Sequence, residues 1–147
     1  MSNMIEKTPV DPAVRKLFAG YERAFAALDM KASTGYFADT FISAGPRGVI
    51  ASSKAEFLKM AGQAAAFYRT VGQTSARILE LGETPITDGY SMVKVHWGVT
   101  FKKTGDMVIE FDVTYFVQKT GPEPKIIMFI AHQDEQKAME DLGLLTK

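Results

Sequence analysis

The sequence predicts one α+β domain, with helices of the N-terminal half packed into the concave face of a long, curved, mostly antiparallel sheet. Three observations carry this. Up to Gly72 apolar residues recur at steps of three and four, the signature of helices with one buried face. After Gly72 the chain changes to runs rich in β-branched and aromatic residues, broken by Gly82–Gly89, Thr104-Gly105 and Thr120–Pro124, which is strand composition with turn chemistry between. The connections are short, so consecutive strands pair antiparallel, and helices followed by strands is the order of a segregated α+β domain.

Residues 1–10 are polar, end in Thr8-Pro9 and predict a flexible tail; residues 11–147 predict a single domain. Asp11-Pro12 combines a capping side chain with proline at the first helical position. Val14, Leu17, Phe18, Tyr21, Phe25 and Leu28 then mark one face of a helix. Lys31–Ala38 predicts a short second helix with Tyr36 and Phe37 turned to the core. Phe41–Ala44 and Val49–Ala51 predict short strands around the turn Gly45-Pro46-Arg47-Gly48. Ser53-Lys54-Ala55-Glu56 has capping-box spacing. It opens a third helix along Phe57, Ala61, Ala64, Tyr68 and Val71, which Gly72 ends. The strands expected next are Ser75–Glu83, Tyr90–Lys102, Val108–Lys119 and Lys125–Asp134, before a last short helix over Glu135–Leu142.

A chain of 147 residues can bury roughly two thirds of its unfolded surface, so a core needs neither disulfides nor metal. Cysteine is absent, which removes thiolate metal sites and cysteine nucleophiles. Lys+Arg and Asp+Glu are equal at 17 each. Without grouped cations nothing offers phosphate neutralisation, so nucleic acid is not an expected partner. No run approaches the ~18 apolar residues of a membrane span, and Met1–Pro12 lacks a signal-peptide core; a cytoplasmic protein with no membrane partner is expected. His96 and His132 sit on separate strands without a fixed carboxylate partner, so no metal is expected, and no cofactor.

The order of elements resembles the nuclear transport factor 2-like superfamily, a cone-shaped, cystatin-like α+β fold. The resemblance runs from Val14 to Leu142. It rests on Gly20-Tyr21-Glu22-Arg23-Ala24-Phe25-Ala26-Ala27-Leu28-Asp29, on Tyr36-Phe37-Ala38-Asp39 with Gly45-Pro46-Arg47-Gly48, and on Phe129-Ile130-Ala131-His132-Gln133-Asp134. It implies a pocket between concave sheet and helices, often in a homodimer, and it fixes no chemistry. Steroid isomerases of this fold use a helix tyrosine, a base before a proline and a strand acid; the matching positions here are Ala24, Gly45 and Thr114. The epoxide hydrolase positions match Val95, Trp97 and Ala131. Neither set can transfer a proton. The implied function is binding of a small hydrophobic or aromatic ligand within the cone, at Tyr21, Tyr36, Phe41, Trp97, Asp112, Thr114, Phe129 and Gln133. Two alternatives stand beside it: an isomerase, cyclase or dehydratase using Asp112, the best catalytic candidate, with a tyrosine; and a homodimeric structural or adaptor module.

The hairpin register decides what faces the cone. A three-residue loop, Thr104-Gly105-Asp106, pairs Trp97 with Val113 and keeps the apolar faces together. A two-residue loop pairs Trp97 with Asp112 and turns Glu110, Asp112 and Thr114 inward, since a one-residue slip flips every side chain. Hydrophobicity favours the first and the family resemblance the second, to which the assignment of Asp112 and Thr114 to the pocket leans. An inward Asp112 carries a pKa raised by desolvation. His132 is expected to face outward. Subunit contact then falls to Phe111 and Tyr115, or to Phe116 in the other register.

Overall fold

The computed structural model describes residues 5–6, 9–134 and 137. Its elements are β1 (Ile5–Glu6), α1 (Pro12–Ala26), α2 (Met30–Thr34), β2 (Phe37–Gly45), β3 (Gly48–Ser53), α3 (Lys54–Val71), β4 (Gln73–Thr87), β5 (Tyr90–Phe101), β6 (Ile109–Gln118) and β7 (Lys125–Ala131). The strands form one seven-stranded mixed sheet in the order β1-β4-β5-β6-β7-β2-β3. β1 lies parallel to β4 and β2 parallel to β7; the other neighbours are antiparallel. The α+β class is as the sequence predicts. Bulges interrupt β4 at three places, and each adds local twist and bend.

Local chemistry explains the boundaries. Asp11 accepts the Ala13 amide at 2.9 Å, with Pro12 opening α1. Both halves of the Ser53–Glu56 capping box are formed, and Gly72 ends α3 with φ 85°, a conformation cheap only for glycine. The second helix is shorter than predicted: it stops at Thr34, and Phe37 already begins β2. A five-residue helix adds little cooperative stability, and the amide of Ile126 on β7 donates to Tyr36 O at 2.9 Å, drawing the chain into the sheet. Residues 5–6 and 9–10, which composition assigned to a loose tail, lie against the domain. Ile5 and Glu6 pair with Glu80 and Leu81, Glu6 is ion-paired with Arg15, and Val10 is buried. The expected final helix, save Lys137, lies outside the described residues.

The hairpin register matches neither expectation in its spacing. Trp97 is opposite Phe111, and Val95 opposite Val113. The connection is no tight two- or three-residue turn: a 3-10 turn over Lys102–Thr104 is followed by a further turn at Gly105-Asp106, and β6 begins at Ile109. The parity is nonetheless that of the apolar reading. Val93, Val95, Trp97 and Val99 on β5, with Phe111, Val113, Tyr115 and Val117 on β6, are buried on the face toward α1. Glu110, Asp112 and Thr114 therefore lie on the outer face, correcting the inward placement that the resemblance favoured. Turning those three inward would have put four large apolar side chains of β6 into water in exchange for two carboxylates in the core.

Candidate functional site

The interior is an aromatic cluster centred on Tyr21. Its ring meets Phe37 at 5.7 Å, Trp97 and Tyr115 at 5.9 Å and Tyr36 at 6.3 Å, in edge-to-face arrangements. Such geometry sets a positive ring edge against a negative face. α1 supplies Tyr21 because its 3.6-residue period keeps Leu17, Phe18, Tyr21 and Ala24 on one buried face. The sheet supplies Trp97 and Tyr115 through strand alternation. Trp97 Nε1–H donates to the Tyr115 hydroxyl at 3.2 Å. Three sequence-predicted residues, Tyr21, Tyr36 and Trp97, are thus brought together, with Tyr115 and Phe37 beside them.

The cluster extends two ways. Toward β7, Phe129 lies 6.1 Å from both Tyr115 and Phe37. Phe129 also floors a groove of about 540 Å³, whose walls include Ser43, Ile50, Ala131 and Gln133. At the rim Arg47 Nε donates to Asp134 at 3.0 Å. Toward α3, Phe25 lies 5.1 Å from Trp97 and 6.4 Å from Tyr68. Phe25, Tyr68, Val71 and Ile109 are only half-buried although they pack on the core.

Not every predicted residue stands at the centre of the cluster. Phe41 is core, packed on Phe37 and Phe57 at 4.6 and 4.8 Å. Tyr36 is half-buried at the edge of the cluster, its hydroxyl over the Gly20 backbone, where a Cβ would lie closer than 3.0 Å. Gln133 Oε1 accepts the Asp112 amide at 2.7 Å.

Asp112 and Thr114 stand on the opposite face of the sheet from the tyrosines, in a polar network. His96 Nδ1 is 2.7 Å from Asp112, and its Nε2 is 2.7 Å from Glu110. Hydrogen bonds to Glu110 and then Asp112 hold the His96 pKa above its ordinary value. Burial pushes the Asp112 carboxyl up, but hydrogen bonds from His96 and Gln133 outweigh it and leave the group below its usual range. That corrects the raised pKa expected of an inward Asp112, and it separates the proposed acid from its proposed tyrosine. His132 faces outward as expected, with Nε2 2.7 Å from Thr114 Oγ1.

On the inner side the buried acids among the described residues are Glu22 and Glu83. Both are engaged by the protein. Glu22 accepts the Ile78 amide at 2.5 Å, tying α1 to β4. Glu83 accepts the Asp11 amide at 2.8 Å, the Ser91 hydroxyl at 2.5 Å and Lys119 Nζ at 3.1 Å. Burial raises the Glu83 pKa, and these three donors overcome it, so the net shift is downward. Sequence reading passed over both, because a single Glu in an amphipathic pattern carries no sign that it is buried. No group of three or more His, Asp and Glu among the described residues is arranged to hold a metal. No helix among them is long and apolar enough to cross a membrane.

Comparison with known proteins places this geometry. A family model described as NTF2-like protein (DUF6841) matches residues 11–134. No curated protein matches the chain. Among solved structures, an NTF-2 like protein of unknown function from Shewanella oneidensis is 14% identical, covers 82% of this chain and 97% of its own, and superposes with a TM-score of 0.68. A protein of unknown function with a cystatin-like fold from Nostoc punctiforme is 16% identical over 83% and 89%, with a TM-score of 0.65. The beta subunit of the benzoate 1,2-dioxygenase from Burkholderia mallei is 11% identical over 88% and 95%, with a TM-score of 0.63. At these identities the likeness is one of fold.

Proposed function

The chain belongs to the NTF2-like protein family DUF6841, and from that premise we propose that it binds a small apolar or aromatic molecule between its helices and the concave face of its sheet. The observation that carries this reading is the segregation of chemistry across the sheet. The inner face presents rings and hydroxyls around Tyr21, Trp97 and Tyr115, while the histidine–carboxylate network lies outside. An apolar wall with a few fixed polar groups is what small-molecule sites share; a catalytic pair must reach the same substrate atom. Trp97 is the sole tryptophan and stands in the cluster, so it reports on its own site. Titration with small aromatic compounds should change Trp97 emission saturably, and native mass spectrometry should detect a retained molecule. Unchanged emission together with a bare mass would sink the reading.

A second reading, a homodimer built on the outer face, is favoured by one row of side chains. Met92, Phe116, Met128 and Ile42 are consecutive partners across β5, β6, β7 and β2, and none is fully buried. Helices pack on the other face, and a partner subunit offers this row its cover. With Phe111 and Tyr115 inside, Phe116 is the contact residue of this reading. The two readings are compatible.

A further inference from the structure

Lys16, Gly20 and Arg23 follow one another along α1 at steps of four and three, so they form a stripe on one side of the helix. That stripe lines a cleft of about 370 Å³ together with Tyr36, residues 122–124 and Lys125, the first residue of β7. Gly20 lets the Tyr36 hydroxyl sit against the helix backbone, since a Cβ at that position would overlap it. The hydroxyl has no hydrogen-bond partner among the described residues. Three cations and one carboxylate, Glu123, line the cleft. Lys125 Nζ donates to Gly35 O at 2.7 Å and stands 3.9 Å from Glu123. The side chains of Lys16 and Arg23 have neither a hydrogen bond nor an ion pair among the described residues. The chain as a whole has a net charge of zero, so the positive excess here is local, gathered by the fold from residues far apart in the sequence. Cations lining a concave surface reinforce one another and raise the local concentration of anions.

We propose that this cleft is a second binding site, between α1 and the β6–β7 connection, and that it takes a small aromatic carboxylate. The proposal stands apart from the interior reading and holds whether or not the interior takes a ligand. The guanidinium fork of Arg23 matches the two oxygens of a carboxylate. Lys16 adds a second unpaired charge, and the Tyr36 hydroxyl a donor. The ring of Tyr36 with Pro122 and Pro124 supplies an apolar wall, against which a flat ring can lie. An inorganic anion answers the charges and leaves that wall uncovered. A neutral ring covers the wall and leaves the charges unanswered. An aromatic acid does both with one molecule. Glu123 works against it, because its carboxylate competes for the same cations.

The test titrates the isotope-labelled full chain with benzoate, benzamide and inorganic phosphate, read by NMR at the backbone amides. Benzoate should move the amides of Gly20, Arg23, Tyr36 and Lys125 saturably. Benzamide and phosphate should each bind there about fivefold more weakly, the ratio that one partly exposed ion pair or one covered ring face sustains. Arg23→Gln should weaken benzoate by about fivefold. Glu123→Gln should tighten it, a gain that damage to the fold would not produce. Equal binding of benzoate and benzamide, equal binding of benzoate and phosphate, or benzoate binding unmoved by Arg23→Gln and by Glu123→Gln would each overturn the proposal. Benzoate that changes Trp97 emission and leaves the four cleft amides still has gone to the interior, which overturns this proposal and supports the interior reading. No response to benzoate at millimolar concentration overturns the cleft site alone.

Discussion

The indole N–H of Trp97 on β5 meets the hydroxyl of Tyr115 on β6, two buried polar groups paired inside the aromatic cluster. Tyr115→Phe leaves the indole N–H without that partner and should cost about 1–2 kcal/mol. The emission maximum of Trp97 should shift at the same time, since the hydrogen bond from its indole to Tyr115 is gone. Chemical denaturation read at Trp97 gives both numbers; an unchanged midpoint and spectrum would show the pair to be unimportant.

Gly20 should resist substitution by alanine, although alanine is the better helix former by about 1 kcal/mol. The added methyl would collide with the Tyr36 ring and hydroxyl, and overpacking of this kind costs ~1–3 kcal/mol. Gly20→Ala should therefore melt lower than wild type, and adding Tyr36→Leu should recover most of the loss. A double variant no better than the single one would mean that the strain lies elsewhere.

The outer-face network gives stability a defined pH window. The folded pKa of His96 is raised, so its contribution is complete below the unfolded value of about 6.5 and disappears as pH rises through the folded value. The folded pKa of Asp112 is depressed, so its contribution holds above about 3.9 and disappears as pH falls further. His96→Gln should lower stability by ~0.5–1 kcal/mol near pH 5.5, a figure kept small because Glu110 and Asp112 are exposed. Near pH 9 the variant and the wild type should converge. Parallel melting curves from pH 5 to 9 would count against the network.

Glu83 predicts the opposite limb. Its folded pKa and that of Asp11 lie below their usual values, while that of Lys119 is raised. Carboxylates of this kind stabilise the fold above their unfolded pKa and lose that stabilisation as pH falls through the folded one. Glu83→Gln should cost about 2–3 kcal/mol at pH 7, since it removes a buried hydrogen-bonded charge. The gap to wild type should narrow below pH 4. Equal melting of the two proteins at pH 7 would refute this.

Association through the outer face should be broken by a charge placed on it. Phe116→Asp should leave the melting curve of the folded domain recognisable but convert a dimer to a monomer in light scattering. A wild type that is already monomeric at high micromolar concentration would rule out the dimer reading.

Legibility differed between local and non-local features. The start of α1 at Asp11-Pro12, the Ser53–Glu56 box and the Gly72 stop are written in neighbouring residues, and each is found where the sequence puts it. The inward face of β5 was equally legible, because alternation along Val93–Phe101 has only one apolar side. The β5–β6 register was not, because the connection continues past the Thr104-Gly105 signal to Val108, and loop length rather than strand sequence sets the pairing. The inward placement of Asp112 came from following the family resemblance over the hydrophobic pattern, whose parity is the one observed. The grouping of Lys16, Arg23 and Lys125 was invisible because the fold makes it from residues far apart in the chain.

The match to the family starts at residue 11, yet the backbone of Glu80 and Leu81 on β4 is covered by Ile5 and Glu6. An expression clone cut at the family boundary would uncover those two residues and strip Arg15 of its ion-pair partner. Uncovered strand edges recruit other chains. A shortened protein of this kind is expected to be more prone to precipitation than the full chain, and fusion tags are better joined upstream of Ile5 than trimmed against Asp11.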